Sequence, residues 1–580
     1  MLGVRHAHTF TLSLLGVAWL ATAVDPLSGV ATAAVLSPST VITPDVSAFV
    51  ESVLNSSTIP GVTTGVVRLA PSDRQPVVEL AAWGRQTEEG DGHDLTPDAL
   101  FALASCSKAF LVTSIGLLMD DYAYGRNVTP LPPAVDAFDW DTKMQELLPD
   151  EWALQDEWAN VKANLRDAFG HVTGLPRHDY SYRPGDTHED VVKRQKLLPP
   201  AWELREQWSY NNQALPYGTF VTSRIFKPLN MTSSTYSPSA AARTGRVTQT
   251  WTRGVRRIPY WFSDEVNALF SGPGGAISNV EDMTKWLATL LNGGVDPRTN
   301  ITIVPASVLA NMTTSRAIES GVPALDISIV GYGMGWFRQS YKGHDAVWHF
   351  GAIPGFSLLA AFLPADNLGV VILANMDENQ DATTSILYRV IDEALDLPRS
   401  DGLKLDSQSD AQTPLLRVQS AAQTPADPLP LDLDAYTGNY TNAAYGAISF
   451  CAPTSTSAYC THVLSAFAPV EAASANTLPA ARLYAAWPRV WSSHIRLRHT
   501  SGNSFGLVFP RLFPEGYGEN KTAFEFYDSV VSVGRVEFEV EGGQVQGFAL
   551  ITQEDAAAAR AERTNGTIRE IGDAWFDKLE

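Results

Sequence analysis

Leu100-Phe101-Ala102-Leu103-Ala104-Ser105-Cys106-Ser107-Lys108-Ala109-Phe110 is the stretch on which the reading of this chain turns. Beyond Lys108 the apolar positions Phe110, Val112, Ile115, Leu117 and Leu118 recur with helical spacing, which predicts a helix that starts near Ser105 and buries one side. A serine three residues before a lysine shares a helix face with it. In the first turn the macrodipole favours negative charge, and a lysine withdrawn from water has its pKa lowered. A neutral Lys108 can then take the hydroxyl proton of Ser105 and make it a nucleophile. Ser-x-x-Lys also describes an ordinary helix cap followed by a solvated lysine. Of the eleven lysines, however, only Lys108 has a serine three positions earlier. Cys106 falls away from the shared face and reads as a small buried residue rather than a second nucleophile.

Two later segments keep this one company. In Trp208-Ser209-Tyr210-Asn211-Asn212, Tyr210 and Asn212 alternate, so an extended loop points both the same way. Tyr-x-Asn is weak alone and occurs again at Tyr440-Thr441-Asn442. Trp348-His349-Phe350-Gly351-Ala352 lies in an apolar strand pattern, where Gly351 allows a substrate to lie against the backbone. A lone buried histidine is more often a satisfied core residue than a catalytic one.

The order Ser-x-x-Lys, Tyr-x-Asn, His-x-Gly resembles the penicillin-binding-protein and class C β-lactamase-like serine hydrolases. Leu100 to Ala104, His171-Val172-Thr173-Gly174-Leu175-Pro176, Gly274-Gly275-Ala276-Ile277-Ser278 and the run from Leu363-Pro364 to Leu373-Ala374-Asn375 extend the likeness over roughly residues 42 to 397. Tyr436-Thr437-Gly438-Asn439-Tyr440, within residues 432 to 450, resembles the start of the lipocalin-like accessory domain of many members. The resemblance implies an α/β sandwich: an antiparallel sheet flanked by helices beside a helical region, with the site in the groove between. It implies Ser105 as acyl-accepting nucleophile, Lys108 as its proton acceptor and Tyr210 as the relay to leaving group and water. It further implies Asn212 as a substrate ligand and the N–H groups of Ser105 and Ala352 as the oxyanion hole. His349 stands where true β-lactamases carry the lysine of Lys-Thr-Gly. That substitution moves the expected substrate away from β-lactams, towards those of esterases and of D-stereospecific peptidases or amidases. A non-catalytic binding protein of the same fold is the alternative from outside the enzymes, and the intact Ser105, Lys108, Tyr210 and Asn212 speak against it.

The rest of the chain sets bounds. With 580 residues, 45% of them hydrophobic, it exceeds one ordinary core and predicts more than one domain. Residues 1–23 carry Arg5, an apolar run from Phe10 to Leu20, and Ala21-Thr22-Ala23, the pattern of a cleaved signal peptide. The run is short for a membrane span, so a secreted product with no span after cleavage is expected. Eight sequons, at Asn55, Asn127, Asn230, Asn300, Asn311, Asn439, Asn520 and Asn565, fit a eukaryotic secretory route. Cys451 and Cys460 lie in a strand-rich region and are placed to close a small disulfide loop.

From 398 to 431 the composition shifts to Ser, Asp, Gln, Pro and Ala, a linker between a catalytic domain at 42–397 and a β-rich domain at 432–580. Truncation near residue 425 is expected to leave a folded catalytic domain. A net charge of −21 argues against a nucleic-acid partner. No His-Glu-x-x-His occurs, and His344 with His349 is too thin a cluster for zinc, so neither metal nor cofactor is expected. The expected partner is a small ester or peptide-like substrate. Gly502-Asn503-Ser504-Phe505-Gly506 matches the α/β-hydrolase elbow, but it lacks the strand before and the helix after, and reads as a turn.

Overall fold

A computed structural model describes residues 40–212, 218–399, 427–473, 481–527, 533–564 and 566–579. The expected signal peptide, most of the linker and Asn565 lie outside the described residues. Thr43 caps helix α1 (Pro44–Ser57) by accepting from Val46 N, and Pro44 pre-sets its first turn. Strands β1 (Gly61–Leu69) and β2 (Pro76–Gly84) follow, and then α2 (Lys108–Ala123) and α3 (Val280–Leu291). Six strands come after α3: β3 (Ala317–Ser320), β4 (Val330–Tyr332), β5 (Phe337–Tyr341), β6 (His344–Ile353), β7 (Phe356–Leu363) and β8 (Leu368–Ala374). Helix α4 (Gln380–Ala394) ends this part.

These strands form one antiparallel sheet in the order β2-β1-β8-β7-β6-β5-β4-β3. The N-terminal hairpin therefore forms one edge of the sheet by pairing β1 with β8, Val62 opposite Ala374. Every residue of β7 and β8 is buried, which is why both read as near-continuous apolar runs, broken in β7 only by Ser357. Their alternation sorts two cores. Val370, Ile372 and Ala374 pack with Val46, Val50, Ile386 and Ile391 of α1 and α4, while Val371 and Leu373 join Phe110 and Trp286 of α2 and α3. Helix α2 is buried on nearly all sides, as a helix apolar all round must be.

The second sheet lies further along the chain. Its strands are β9 (Gly438–Asn442), β10 (Gly446–Phe450), β11 (Arg482–Ala486), β12 (His494–Ser501), β13 (Ser504–Val508), β14 (Val533–Glu541), β15 (Gln544–Ile551) and β16 (Ala574–Lys578). They run antiparallel in the order β10-β9-β16-β15-β14-β13-β12-β11, and a bridge between Cys451 and Tyr484 joins the two edges, so the sheet is a nearly closed eight-stranded barrel. Helix α5 (Ala458–Ala473) departs from the β-rich expectation; its apolar run contains Pro469 and gives no clean helical stripe. Cys460 sits on α5 and is bonded to Cys451. Gly502 and Asn503 form the turn of the β12–β13 hairpin, not a nucleophile elbow. Of the seven described sequon asparagines, Asn55, Asn230, Asn300, Asn439 and Asn520 are exposed, and Asn127 and Asn311 are partly so. No helix among the described residues is long and apolar enough to cross a membrane.

The barrel is locked onto the first part. Tyr180 stacks on Phe509 at 3.8 Å, His178 Nδ1 lies 2.8 Å from Tyr445 Oη, and Arg183 Nη2 donates to Ala444 O at 2.9 Å.

Candidate active site

The expected helix start is resolved into two pieces. Ala104–Ser107 form a 3₁₀ turn and α2 proper begins at Lys108, so Ser105 sits on the tight turn and Lys108 on the first helical position. Ala104 holds φ at 43°, a strained value for a residue with a Cβ and one that marks functional turns. The turn is pinned to the loop before residue 277: Leu103 N donates to Ala276 O (2.6 Å) and Ala276 N to Ser107 Oγ (3.0 Å). Ser105 alone among residues 101–110 is not buried.

Lys108 Nζ lies 3.3 Å from Ser105 Oγ, 2.9 Å from Asn212 Oδ1 and 3.1 Å from Pro273 O. Asn212 presents its oxygen to Lys108 because its amide nitrogen donates to the Asp179 carboxylate at 3.1 Å, which fixes the orientation of the amide. Arg177 Nε in turn donates to Asp179 at 2.6 Å. Burial, reinforced by the Arg177 charge, holds the Lys108 amine well below the ordinary lysine range. A neutral amine has two N–H bonds and one lone pair. With Asn212 Oδ1 and Pro273 O taking the two donors, the lone pair is left for the Ser105 hydroxyl.

Lys108 Nζ also lies 4.6 Å from the centroid of the Tyr210 ring. Burial raises the pKa of the Tyr210 phenol, opposed by the neighbouring Ser105 hydroxyl, so the group carries its proton. The His171-Val172-Thr173 segment positions it. His171 O accepts from Ser209 N (2.8 Å), Val172 O from Arg205 N (2.8 Å), and the His171 ring packs 4.7 Å from that of Tyr210. His171 itself holds φ at 59°, and burial keeps its imidazole neutral.

Strand β6 supplies the opposite wall. It pairs with β7 as far as Ile353 but with β5 only to Trp348, so residues 349–353 keep one edge without a strand neighbour among the described residues. The 3₁₀ turn lies beside that edge, where a Cβ on Gly351 would stand 2.4 Å from Leu103 O. Ala352 is exposed into a cleft that it shares with Ser105 and Asn212. His349 is placed otherwise. It is fully buried, its Nδ1 lies 2.6 Å from Phe350 O and its Nε2 3.2 Å from Tyr332 Oη, and burial pushes its pKa down to about 3. Cys106 is buried, donates to His349 O at 3.4 Å, and has its thiol pushed up to about 12 by burial.

Ser105, Lys108, Tyr210, Asn212, Gly351 and Ala352 thus come together, with His349 sealed behind them. Sequence reading missed Arg177 and Asp179, whose only local signal is a pair of opposite charges just past Pro176. It also missed Phe262, Phe270 and Trp491, which line the same cleft.

The β-lactamase family model matches residues 46–393, and the chain belongs to this family of serine hydrolases. Two curated relatives are unguisins hydrolases. That of Aspergillus campestris is 29% identical over 387 residues, covering 61% of this chain and 68% of its own. That of Aspergillus violaceofuscus is 25% identical over 401 residues, covering 60% and 67%. Among solved structures, the octameric penicillin-binding protein homologue from Pyrococcus abyssi is 15% identical, with a TM-score of 0.49, over 87% of this chain and 97% of that one.

Proposed function

We propose that the protein is a secreted hydrolase that cleaves an ester or amide bond through an acyl-enzyme on Ser105. The observation that carries this reading is the buried amine of Lys108, 3.3 Å from Ser105 Oγ with its two other contacts occupied by acceptors. Lys108 accepts the hydroxyl proton as Ser105 Oγ bonds to the substrate carbonyl carbon. The oxyanion is held by the N–H groups of Ser105 and Ala352, where losing one such donor costs about 3 kcal/mol. Tyr210 then passes a proton to the departing alkoxide or amine and is reprotonated from Lys108. A water molecule attacks the acyl-enzyme by the reverse relay, which frees the acid and restores Ser105. Asn212 has two tasks, orienting Lys108 and offering its amide to the substrate.

Because His349 is buried and neutral, the site lacks the permanent cation at that position which grips a β-lactam carboxylate, so nitrocefin is a poor substrate. The unguisins hydrolases among the relatives make unguisins the first natural candidates. Residues 1–23 support export, the Cys451–Cys460 disulfide fits an oxidising compartment, and the exposed sequons are open to glycosylation.

The test incubates the purified protein with short-chain p-nitrophenyl esters, D-aminoacyl p-nitroanilides, unguisins and nitrocefin, with intact-mass detection of the acyl-enzyme. A Ser105 adduct and a loss of turnover in Ser105→Ala are expected. Hydrolysis unchanged in that variant would overturn the assignment.

A further inference from the structure

The segment Trp487-Pro488-Arg489-Val490-Trp491-Ser492-Ser493 joins β11 to β12, yet its far end belongs to the Ser105 cleft. The Trp491 ring meets Phe270 at 5.3 Å and 74°, and Phe262 at 5.6 Å and 65°, while Phe262 and Phe270 stack on each other at 5.6 Å. Three aromatic side chains from two parts of the chain therefore make one wall of the groove that also holds Ser105, Asn212 and Ala352. Trp491 is only partly buried, as befits a residue with one side on protein and one on the groove.

The segment is fixed, not a swinging lid. Trp487 N donates to Ser493 O and Arg489 N to Ser492 O, both at 2.8 Å, which closes it as a tight loop. Arg489 Nε donates to Tyr180 O at 3.0 Å and its Nη2 to Tyr445 O, tying both parts of the molecule through one guanidinium. Val490 N donates to Tyr182 O (3.4 Å) and Val490 O accepts from Trp261 Nε1 (3.0 Å). A wall held on both sides of the aromatic residue is pre-organised, so little ordering is left for a ligand to impose.

We propose that Trp491 is a specificity-determining residue: with Phe262 and Phe270 it receives a bulky apolar or aromatic group next to the scissile carbonyl, so the barrel completes the substrate site in cis. The proposal rests on the acyl-enzyme reading of Ser105. Aromatic pairing adds attraction beyond area burial, and one missing face in such a pocket shifts selectivity by tenfold or more.

The experiment uses the full chain with Trp491→Ala and Trp491→Phe, their folding checked by thermal unfolding. The ratio of kcat/KM for p-nitrophenyl phenylacetate to that for p-nitrophenyl acetate is measured for each. The ratio should fall at least tenfold in the alanine variant and be largely restored by phenylalanine. A ratio within about twofold of wild type in Trp491→Ala, or an equal loss for both esters, would overturn the proposal. A second arm does not depend on turnover: in a Ser105→Ala background, calorimetric titration with N-acetyl-phenylalanine amide of either hand should show at least fivefold weaker binding when Trp491→Ala is added. Unchanged affinity, or no binding to Ser105→Ala, would overturn the subsite. If wild type hydrolyses neither ester and forms no Ser105 adduct, the acyl-enzyme reading fails and the binding arm alone decides on Trp491.

Discussion

Gly351→Ala tests the geometry that joins strand β6 to the nucleophile turn. An alanine Cβ at this position would stand 2.4 Å from Leu103 O, which is 1.0 Å short of the 3.4 Å at which ordinary contact begins. It would also approach Ala104 Cβ and Leu358 Cδ1, each at 3.2 Å. Gly351 is not among the residues of positive φ, so the cost is one of contact and not of backbone conformation. Neither side yields easily. Leu103 is held by its 2.6 Å bond to Ala276 O and by accepting from Cys106 N (3.1 Å), and β6 is paired to β7 through Gly351↔Leu358. The missing ångström therefore opens the gap between Ala352 and Ser105, whose N–H groups are proposed to hold the oxyanion.

A misplacement of about 1 Å costs on the order of 10²-fold in rate, or about 2.7 kcal/mol of transition-state stabilisation. Overpacking adds about 1–3 kcal/mol of lost fold stability. The assay is kcat/KM on a p-nitrophenyl ester, the labelling rate of Ser105 by a fluorophosphonate, and the melting temperature. Both rates should fall by about two decades in protein that still melts cooperatively. Rates within threefold of wild type at an unchanged melting temperature would refute the reasoning.

Other outcomes follow from the same structure. Because burial lowers the Lys108 pKa, kcat/KM should rise with pH as the amine loses its proton and level off well below 10.5, the ordinary value; a limb still climbing above that pH would refute the role. In the window between the folded pKa and 10.5 the unfolded chain binds a proton that the folded chain does not, so the Lys108 contribution to stability rises with pH there, measurable by denaturant unfolding at several pH values. Cys106, buried with its thiol pushed up to about 12, should resist iodoacetamide at pH 8 in the native protein and react fully once unfolded; native labelling seen by intact mass would contradict its burial. Truncation near residue 425, expected from the sequence alone to leave a folded catalytic domain, has the opposite expected outcome on the structure: removing Phe509, Val490 and Tyr445 uncovers Tyr180, Trp261 and His178, so the product should aggregate or melt well below the full chain, and a soluble fragment melting like the full chain would show the contact to be dispensable.

What was legible in the sequence was whatever a short segment dictates by itself. Serine and lysine three positions apart meet because helical geometry brings them together, and β7 and β8 announce themselves because burial on both faces leaves near-continuous apolar runs. Helix α5 was hidden, since an apolar run holding Pro469 has no clear period and the disulfide draws Cys460 towards a strand-side partner. Trp491 was hidden for a different reason: its neighbours Phe262 and Phe270 are chosen by how a barrel docks, and nothing near residue 491 records that docking.

His349 and Lys108 show why a residue's presence at a motif position does not fix its chemical state. Both sit where the motifs predict, and burial disfavours the charged form of each. For Lys108 that is the condition of the proposed catalysis, and it depends on residues no motif names: Asp179 orients Asn212, and the Pro273 carbonyl takes the second N–H, so the lone pair is left facing Ser105. For His349 the same physics closes a role. Tyr332 and the Phe350 carbonyl satisfy the imidazole behind the Tyr210 ring, and burial pushes its pKa down to about 3, which favours the neutral form. Among the described residues lining the cleft, Arg177 is engaged with Asp179, so on the proposed function recognition in this groove would rest on Asn212, the β6 edge and the aromatic wall.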